Sequence, residues 1–148
     1  RMALIKTSIL RSLHEYMWIL GLPIPLANNQ VRGWYGEWLA RRFLKKKKFL
    51  ILKKNWQSGL DSRREIDLIA QEHECLVFVE VRARSKNALN KGYDSINKKK
   101  RKTLLSACRD FLREHSNEFT NYRFDVIEVD LGTTGGTLLH HENVSLFP

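Results

Sequence analysis

Two short apolar runs each carry a carboxylate at their centre. Asp67 lies within the run IDLIA, and Glu80 lies within the run VFVEV, where branched hydrocarbons predominate. A desolvated carboxylate is costly unless a cation or several donors compensate it, so both acids need partners. Alternation along the strand puts Arg82 on the face of Glu80, where it balances one charge. A divalent cation would balance the other, because two oxygen ligands from neighbouring strands suit Mg²⁺, which keeps most of its water. The chemistry indicated is metal-assisted phosphodiester hydrolysis.

The same spacing also permits a purely structural interpretation. Glu80 with Arg82, or Asp67 with Arg64, would then form ion pairs on a solvated sheet face, as antiparallel sheets often do. The spacing of these residues does not decide between a metal site and ion pairs.

Hydrophobic periodicity predicts the elements that must position these acids. Alternation predicts strands at 49–56, 64–71, 75–84 and 122–131, with a weaker closing strand at 137–147. The first three strands would form an antiparallel meander with a tight turn near Glu72. A helical period from about Gly92 to His115 predicts a helix that leads to the fourth strand, which favours a right-handed parallel crossover. The sequence therefore predicts an α/β protein with a mixed sheet flanked by helices.

Two further helices are predicted before the first strand. Apolar residues spaced three or four apart predict an amphipathic helix that ends at Gly21, and GLPIPLANNQ is typical of a linker. The next helix begins near Arg32 and places Glu37 on the same face as Arg41, where the two permit an exposed ion pair. We divide the chain into an N-terminal helix and linker, 1–30, and a main domain, 31–148. The first helix would pack on this domain, dimerise or lie on a membrane surface.

Composition and charge restrict the class of protein. The formal net charge of +10 favours a polyanionic partner, nucleic acid before an acidic membrane. The two cysteines have no CxxC spacing, so neither a disulfide framework nor a zinc site is indicated. Charged residues break the first apolar segment short of the roughly 20 residues of a membrane span, so we expect no stable membrane insertion. Without an A-x-A-like cleavage site, a cytoplasmic location is expected.

Four motifs occur in a fixed order along the chain: GWYGEWLARRFL, EIDLIA, FVEVRARS and RFDVIEV. In this order they resemble the YraN family of uncharacterised bacterial proteins, which are similar to archaeal Holliday junction resolvases within the PD-(D/E)xK nuclease superfamily. The resemblance covers roughly Gly33 to the C-terminus. It implies a restriction-endonuclease-like fold whose core order is helix-strand-strand-strand-helix-strand, with the N-terminal helix as an addition.

The resemblance also implies roles for individual residues. Asp67 and Glu80 would ligate Mg²⁺ or Mn²⁺, and Glu37 would complete or steady the site. Arg82 stands where the family usually has lysine; arginine stays protonated and cannot act as a general base, although it can stabilise charge on a phosphate. A metal-dependent DNA endonuclease is therefore the first functional hypothesis. A catalytically silent nucleic-acid-binding protein is the alternative.

Basic residues near the predicted site would bind the phosphates of nucleic acid. The candidates are Arg64, Arg84, Lys98, Lys100 and Arg101. Like charges crowded at 98–102 favour an anionic partner. The resemblance implies branched or distorted DNA as the substrate class. It also leaves a homodimer open, because four-way junctions offer two symmetric cuts but no residue identifies an interface.

Overall fold

The computed structural model describes residues 2–22, 25–26, 28–84, 96–132 and 137–147. In chain order the elements are α1 (Met2–Ile19), α2 (Asn29–Lys46), β1 (Leu50–Gln57), β2 (Glu65–Glu72), β3 (Cys75–Arg84), α3 (Lys98–Glu114), β4 (Asn121–Asp130) and β5 (Thr137–His141). The predicted order of helices and strands is confirmed. The helix predicted to start near Gly92 instead begins at Lys98, because the extended residue Asn97 caps it and its side chain accepts a hydrogen bond from the Lys100 N–H. Gly92 itself and the turn at 133–136 lie outside the described residues.

The five strands form one sheet in the order β1-β2-β3-β4-β5. The first three strands pair antiparallel, as the predicted meander requires. β3 pairs parallel with β4, whose partner on the other side is the antiparallel strand β5. The parallel pairing predicted for the strand after α3 is thus confirmed, and with it the restriction-endonuclease-like α/β fold.

Both faces of the sheet are covered by a helix. On one face α3 buries an aromatic cluster that includes Phe78, Phe111 and Phe124. On the other face α2 buries a mainly aliphatic cluster that includes Leu44 and Ile127. A polar side chain in the central strands is therefore removed from water on whichever face it lies, so a charge there needs a partner.

The caps and the tryptophans fix the position of α2. Its first turn begins before the predicted start at Arg32, because the side chain of Asn28 accepts a hydrogen bond from the backbone N–H of Val31 at 2.9 Å. Trp18 of α1 packs with Trp34 and other buried residues of α2. Of the three placements considered for the N-terminal helix, packing on the main domain is therefore observed.

Much of α1 nevertheless faces outward. Its exposed apolar residues include Met2, Leu4, Ile5, Ile9 and Leu13. Among the described residues, no helix combines the length and the apolar character needed to cross a membrane.

α2 approaches β3 closely at Gly36. A Cβ added to Gly36 would lie 2.8 Å from the Cβ of Ala83, nearer than real Cβ contacts allow. We expect Gly36→Ala to separate α2 from β3, to displace the adjacent Glu37 and to lower the free energy of unfolding by about 1–3 kcal/mol. Urea denaturation measures this loss.

Gly33→Ala is the matched control, because a Cβ there meets nothing within 4 Å. Alanine has the higher helix propensity, so the control is expected to be neutral or slightly stabilising. A Gly36→Ala protein as stable as the control would contradict the close approach.

Candidate active site

The structure brings Asp67 and Glu80 together at the place where the β2–β3 ladder opens. The paired register of these strands ends at Leu68 and Val79. Beyond that pair, Oδ2 of Asp67 accepts a hydrogen bond from the backbone N–H of Val81 at 2.8 Å. A side chain thus takes the place of the next main-chain acceptor, which holds the carboxyl group of Asp67 beside that of Glu80.

Both carboxyl groups are poorly solvated. Glu80 is only 8% exposed. Burial raises the pKa of Asp67 well above its usual range, and the negative charges of Glu80 and Glu37 raise it further. Burial also raises the pKa of Glu80, although the ammonium of Lys100 opposes this shift. Ionisation of both carboxyl groups is therefore unfavourable in the folded protein, and a bound cation would make it more favourable.

Only one oxygen of Glu80 has a cationic partner among the described residues. Lys100 places its Nζ 3.3 Å from Oε1. The second oxygen, Oε2, is buried and has no hydrogen-bond partner within the described part of the chain. A buried carboxylate oxygen without a donor is unusual in a folded protein and is a natural ligand for a hard cation.

Glu37 is held by residues from two other elements. Asn55 of β1 donates from Nδ2 to Oε2 of Glu37 at 2.9 Å, and Arg11 of α1 donates from Nη2 to the same oxygen. The exposed Glu37–Arg41 ion pair that the helical spacing permits does not form, because Arg41 binds Glu15 at 2.8 Å instead. Glu37 thus faces the site, where its charge acts on Asp67.

Arg82 and Arg84 continue along β3 on the face that carries Glu80. Burial lowers the pKa of Arg82, and the neighbouring charge of Arg84 acts in the same direction. Arg84 places its Nε 4.0 Å from Oε1 of the fully buried Glu128. The predicted charge-stabilising side chain is thus close to the carboxylate pair in an environment that favours an anion.

The other basic residues predicted to bind nucleic acid are dispersed. Lys98 is exposed in the first turn of α3, while Arg101 donates from Nε to the carbonyl of Ile96 at 3.2 Å. The guanidinium of Arg64 binds the carboxylate of Asp110 of α3 at 2.9 Å. Arg64 therefore pairs with Asp110 and not with Asp67, the partner considered from the sequence. Of these candidates, Lys100 directly contacts a predicted metal ligand.

Sequence reasoning missed the contribution of α1 to the site. Arg11 lies outside the recognised motifs and 26 residues from Glu37, so no local period links the two. The contact of Lys100 with Glu80 was also not predicted, although the basic run was noted. Both contacts depend on how distant elements pack.

The donor set fits a metal that needs few protein ligands. The described ranges contain no group of three or more His, Cys, Asp and Glu side chains placed to hold a metal ion. The two carboxylates and the unpartnered Oε2 nevertheless match Mg²⁺, which is commonly bound through one or two carboxylates and otherwise by water and phosphate oxygens. The assignment of Asp67 and Glu80 as metal ligands stays a prediction.

Comparison with known proteins places the chain in a family. A profile described as uncharacterised protein family UPF0102 matches residues 36–129. A UPF0102 protein of Clostridium perfringens is 38% identical over 104 residues, which cover 69% of this chain and 81% of the relative. A UPF0102 protein of Alkaliphilus oremlandii is 37% identical over 117 residues, or 78% of this chain and 97% of the relative. The family resemblance recognised in the motifs is therefore confirmed, and the chain belongs to the UPF0102 family.

Proposed function

We propose that this protein is a metal-dependent endonuclease that hydrolyses phosphodiester bonds of DNA. The observation that supports this most directly is the poorly solvated Asp67–Glu80 pair with the unpartnered, buried oxygen Oε2 of Glu80. Two carboxyl groups with raised pKa values lie on adjacent strands beside a lysine. Their negative charges destabilise the folded protein, and a bound cation would reduce that destabilisation. The alternative of simple ion pairs on a solvated face does not explain the burial.

Each side chain of the site has a distinct role in this proposal. A bound Mg²⁺ or Mn²⁺ would polarise the scissile phosphate and lower the pKa of an attacking water. Asp67 and Glu80 hold the cation, and the Val81 N–H fixes the orientation of Asp67. Glu37 adds negative charge from α2 and is itself oriented by Asn55.

Two cationic side chains, Arg82 and Lys100, would place positive charge near the bound phosphate. Arg82 stabilises negative charge that builds up on it, although it cannot take up a proton. Lys100 lies 3.3 Å from Glu80 and belongs to α3, so an ammonium group is supplied to the site from outside the strand. Lys100 thus adds a compact ammonium group to the planar guanidinium of Arg82.

The substrate we propose is DNA, with branched or distorted structures first. This rests on the formal charge of +10 and on the resemblance of the motifs to junction resolvases. Incubation of the purified protein with linear, flapped and four-way DNA, each with Mg²⁺, Mn²⁺ or chelator, tests the proposal. Cleavage that requires metal and is greater on branched substrates is expected. Absence of cleavage of every substrate with either metal would refute it.

A second function, a binding protein without catalysis, is favoured by one feature: Arg82 replaces the usual lysine. If the endonuclease proposal is correct, Arg82→Lys should change the cleavage rate by less than about tenfold, since both side chains are cations on one face and Lys100 already supplies an ammonium. Single-turnover cleavage assays measure the ratio. An inactive wild type together with an active Arg82→Lys variant would favour the binding protein instead.

A further inference from the structure

A second feature, separate from the carboxylate pair, is an open groove of about 900 Å³ lined by residues of α1, α2 and β1. We call it the α2–β1 groove. Its lining combines an apolar floor, which includes Trp38 and Phe49, with a strongly basic margin. The basic side chains are Arg41, Arg42, Lys45, Lys53 and Lys54. None of them was assigned to nucleic-acid binding from the sequence.

The positive charge of the groove is not balanced by its acids. Glu15 is the acidic residue among those that line it. Its carboxylate is already engaged by Arg41 at 2.8 Å and by Arg11 at 3.2 Å. Arg42, Lys45, Lys53 and Lys54 are exposed around the groove. A groove with one sign of charge and low-dielectric walls concentrates anions of the opposite sign.

Arg41 provides an independent indication of an anionic ligand. The residue is only 7% exposed, and its Nη2 binds Glu15. Its other terminal nitrogen, Nη1, is buried without a hydrogen-bond partner in the described part of the chain. A buried guanidinium nitrogen without an acceptor is costly, and a phosphate oxygen is a matching acceptor for it.

The groove begins next to the carboxylate site. Arg41 lies one helical turn beyond Glu37, and Lys54 precedes Asn55, which donates to Glu37 at 2.9 Å. From Glu37 to Lys45 the helix rises about 12 Å, the axial length of roughly three to four nucleotides at 3.4 Å each. The cations therefore lead away from the site over a distance that several phosphates would occupy.

We propose that the α2–β1 groove binds the phosphodiester backbone of a nucleic-acid strand as it leaves the Asp67–Glu80 site. The identity of this ligand rests on the proposed function, while the preference for a polyanion rests on the groove itself. Because α1 supplies one wall, the N-terminal helix takes part in substrate binding. The strand contacts are made to phosphates, so binding here is independent of base sequence.

Paired lysine substitutions test the groove. Lys53→Gln with Lys54→Gln removes two charges from it, and Lys46→Gln with Lys48→Gln removes two charges from neighbouring exposed residues that do not line it. The affinity for a fluorescein-labelled oligonucleotide is measured by anisotropy in chelator over a series of salt concentrations. We expect the groove pair to weaken binding about tenfold and to reduce the salt slope by roughly one to two.

The control pair should retain most of the wild-type affinity and slope. Equal losses in the two pairs would show an effect of net charge alone and would overturn the groove proposal. Because the assay excludes metal, its outcome is separate from cleavage. If wild type cleaves DNA but the Lys53/Lys54 double variant binds the oligonucleotide normally, only the groove proposal fails. If the double variant binds poorly but wild type cleaves no substrate, only the proposed nuclease activity fails.

Discussion

Replacing Asp67 with asparagine is expected to abolish metal-dependent cleavage and, in the absence of metal, to stabilise the protein. Loss of residues that merely orient metal ligands typically costs 10–100-fold in affinity or activity, so loss of a direct ligand should cost at least about a hundredfold. Asparagine keeps an oxygen that can accept the hydrogen bond from Val81, so the β2–β3 geometry should survive. Cleavage rates and DNA affinity measured together separate catalysis from binding.

The stabilisation expected from Asp67→Asn follows from the electrostatics of the site. Burial and the nearby Glu80 raise the pKa of Asp67, so the folded protein holds a proton there more tightly than the unfolded chain. Its stability should therefore fall as pH rises above about 4, the ordinary range for aspartate, until the raised pKa is passed. The variant has no carboxyl group to ionise at this position, so its free energy of unfolding at pH 7 should exceed that of wild type by on the order of 1–3 kcal/mol.

Thermal unfolding in chelator at several pH values measures this difference. Glu65→Gln is the matched control, because it neutralises an exposed carboxylate of the same strand. The difference between Asp67→Asn and wild type should grow with pH, whereas the control should follow wild type. Equal stability of wild type and Asp67→Asn across the pH range would contradict a strained carboxylate pair.

The largest loss of stability is expected for Asp125→Asn. Asp125 is fully buried on β4 and accepts hydrogen bonds from Arg123 Nε at 3.0 Å, from the Asn143 N–H at 2.9 Å and, with its second oxygen, from Arg123 Nη2 at 3.1 Å. His140 Nε2 lies 2.9 Å from that second oxygen. Removal of one partner from a buried charge pair typically costs 3–5 kcal/mol, because the remaining charge is left without compensation.

The sign of the pH dependence at Asp125 is opposite to that at Asp67. Burial alone would raise the pKa of Asp125, but the hydrogen bonds with His140 and Arg123 outweigh it, so the pKa is lowered. This carboxylate therefore contributes stability above the ordinary aspartate pKa of about 4, and that contribution is lost as pH falls through the lower folded value. Asp125→Asn should remove it at all pH values.

Urea denaturation at pH 7 measures the cost of Asp125→Asn. Glu118→Gln, which neutralises an exposed carboxylate away from Asp125 and His140, is the control and should change the free energy of unfolding little. A loss below about 1 kcal/mol for Asp125→Asn would show that the network contributes little.

The strands and the helix order were predictable because each depends on a local period. Alternation around Asp67 and Glu80 indicated that both acids lie in strands, and the structure puts them side by side. Contacts between elements far apart in the chain were not predictable in this way. Helical spacing suggested Arg41 as the partner of Glu37, but α1 supplies Arg11 to Glu37 and Glu15 to Arg41. Such exchanges depend on tertiary packing, which can override a weak exposed pair.

The connectivity of the sheet also sets the order in which the site assembles during folding. Only His73 and Glu74 separate β2 from β3, so the hairpin that carries both acids closes a short loop at little entropic cost. Lys100 arrives with α3, after the chain has left β3. We therefore expect Asp67 and Glu80 to come together before Lys100 is in place. Early in folding, the apolar cross-strand pairs of the hairpin, among them Leu68 with Val79, must then outweigh the repulsion between the two carboxylates.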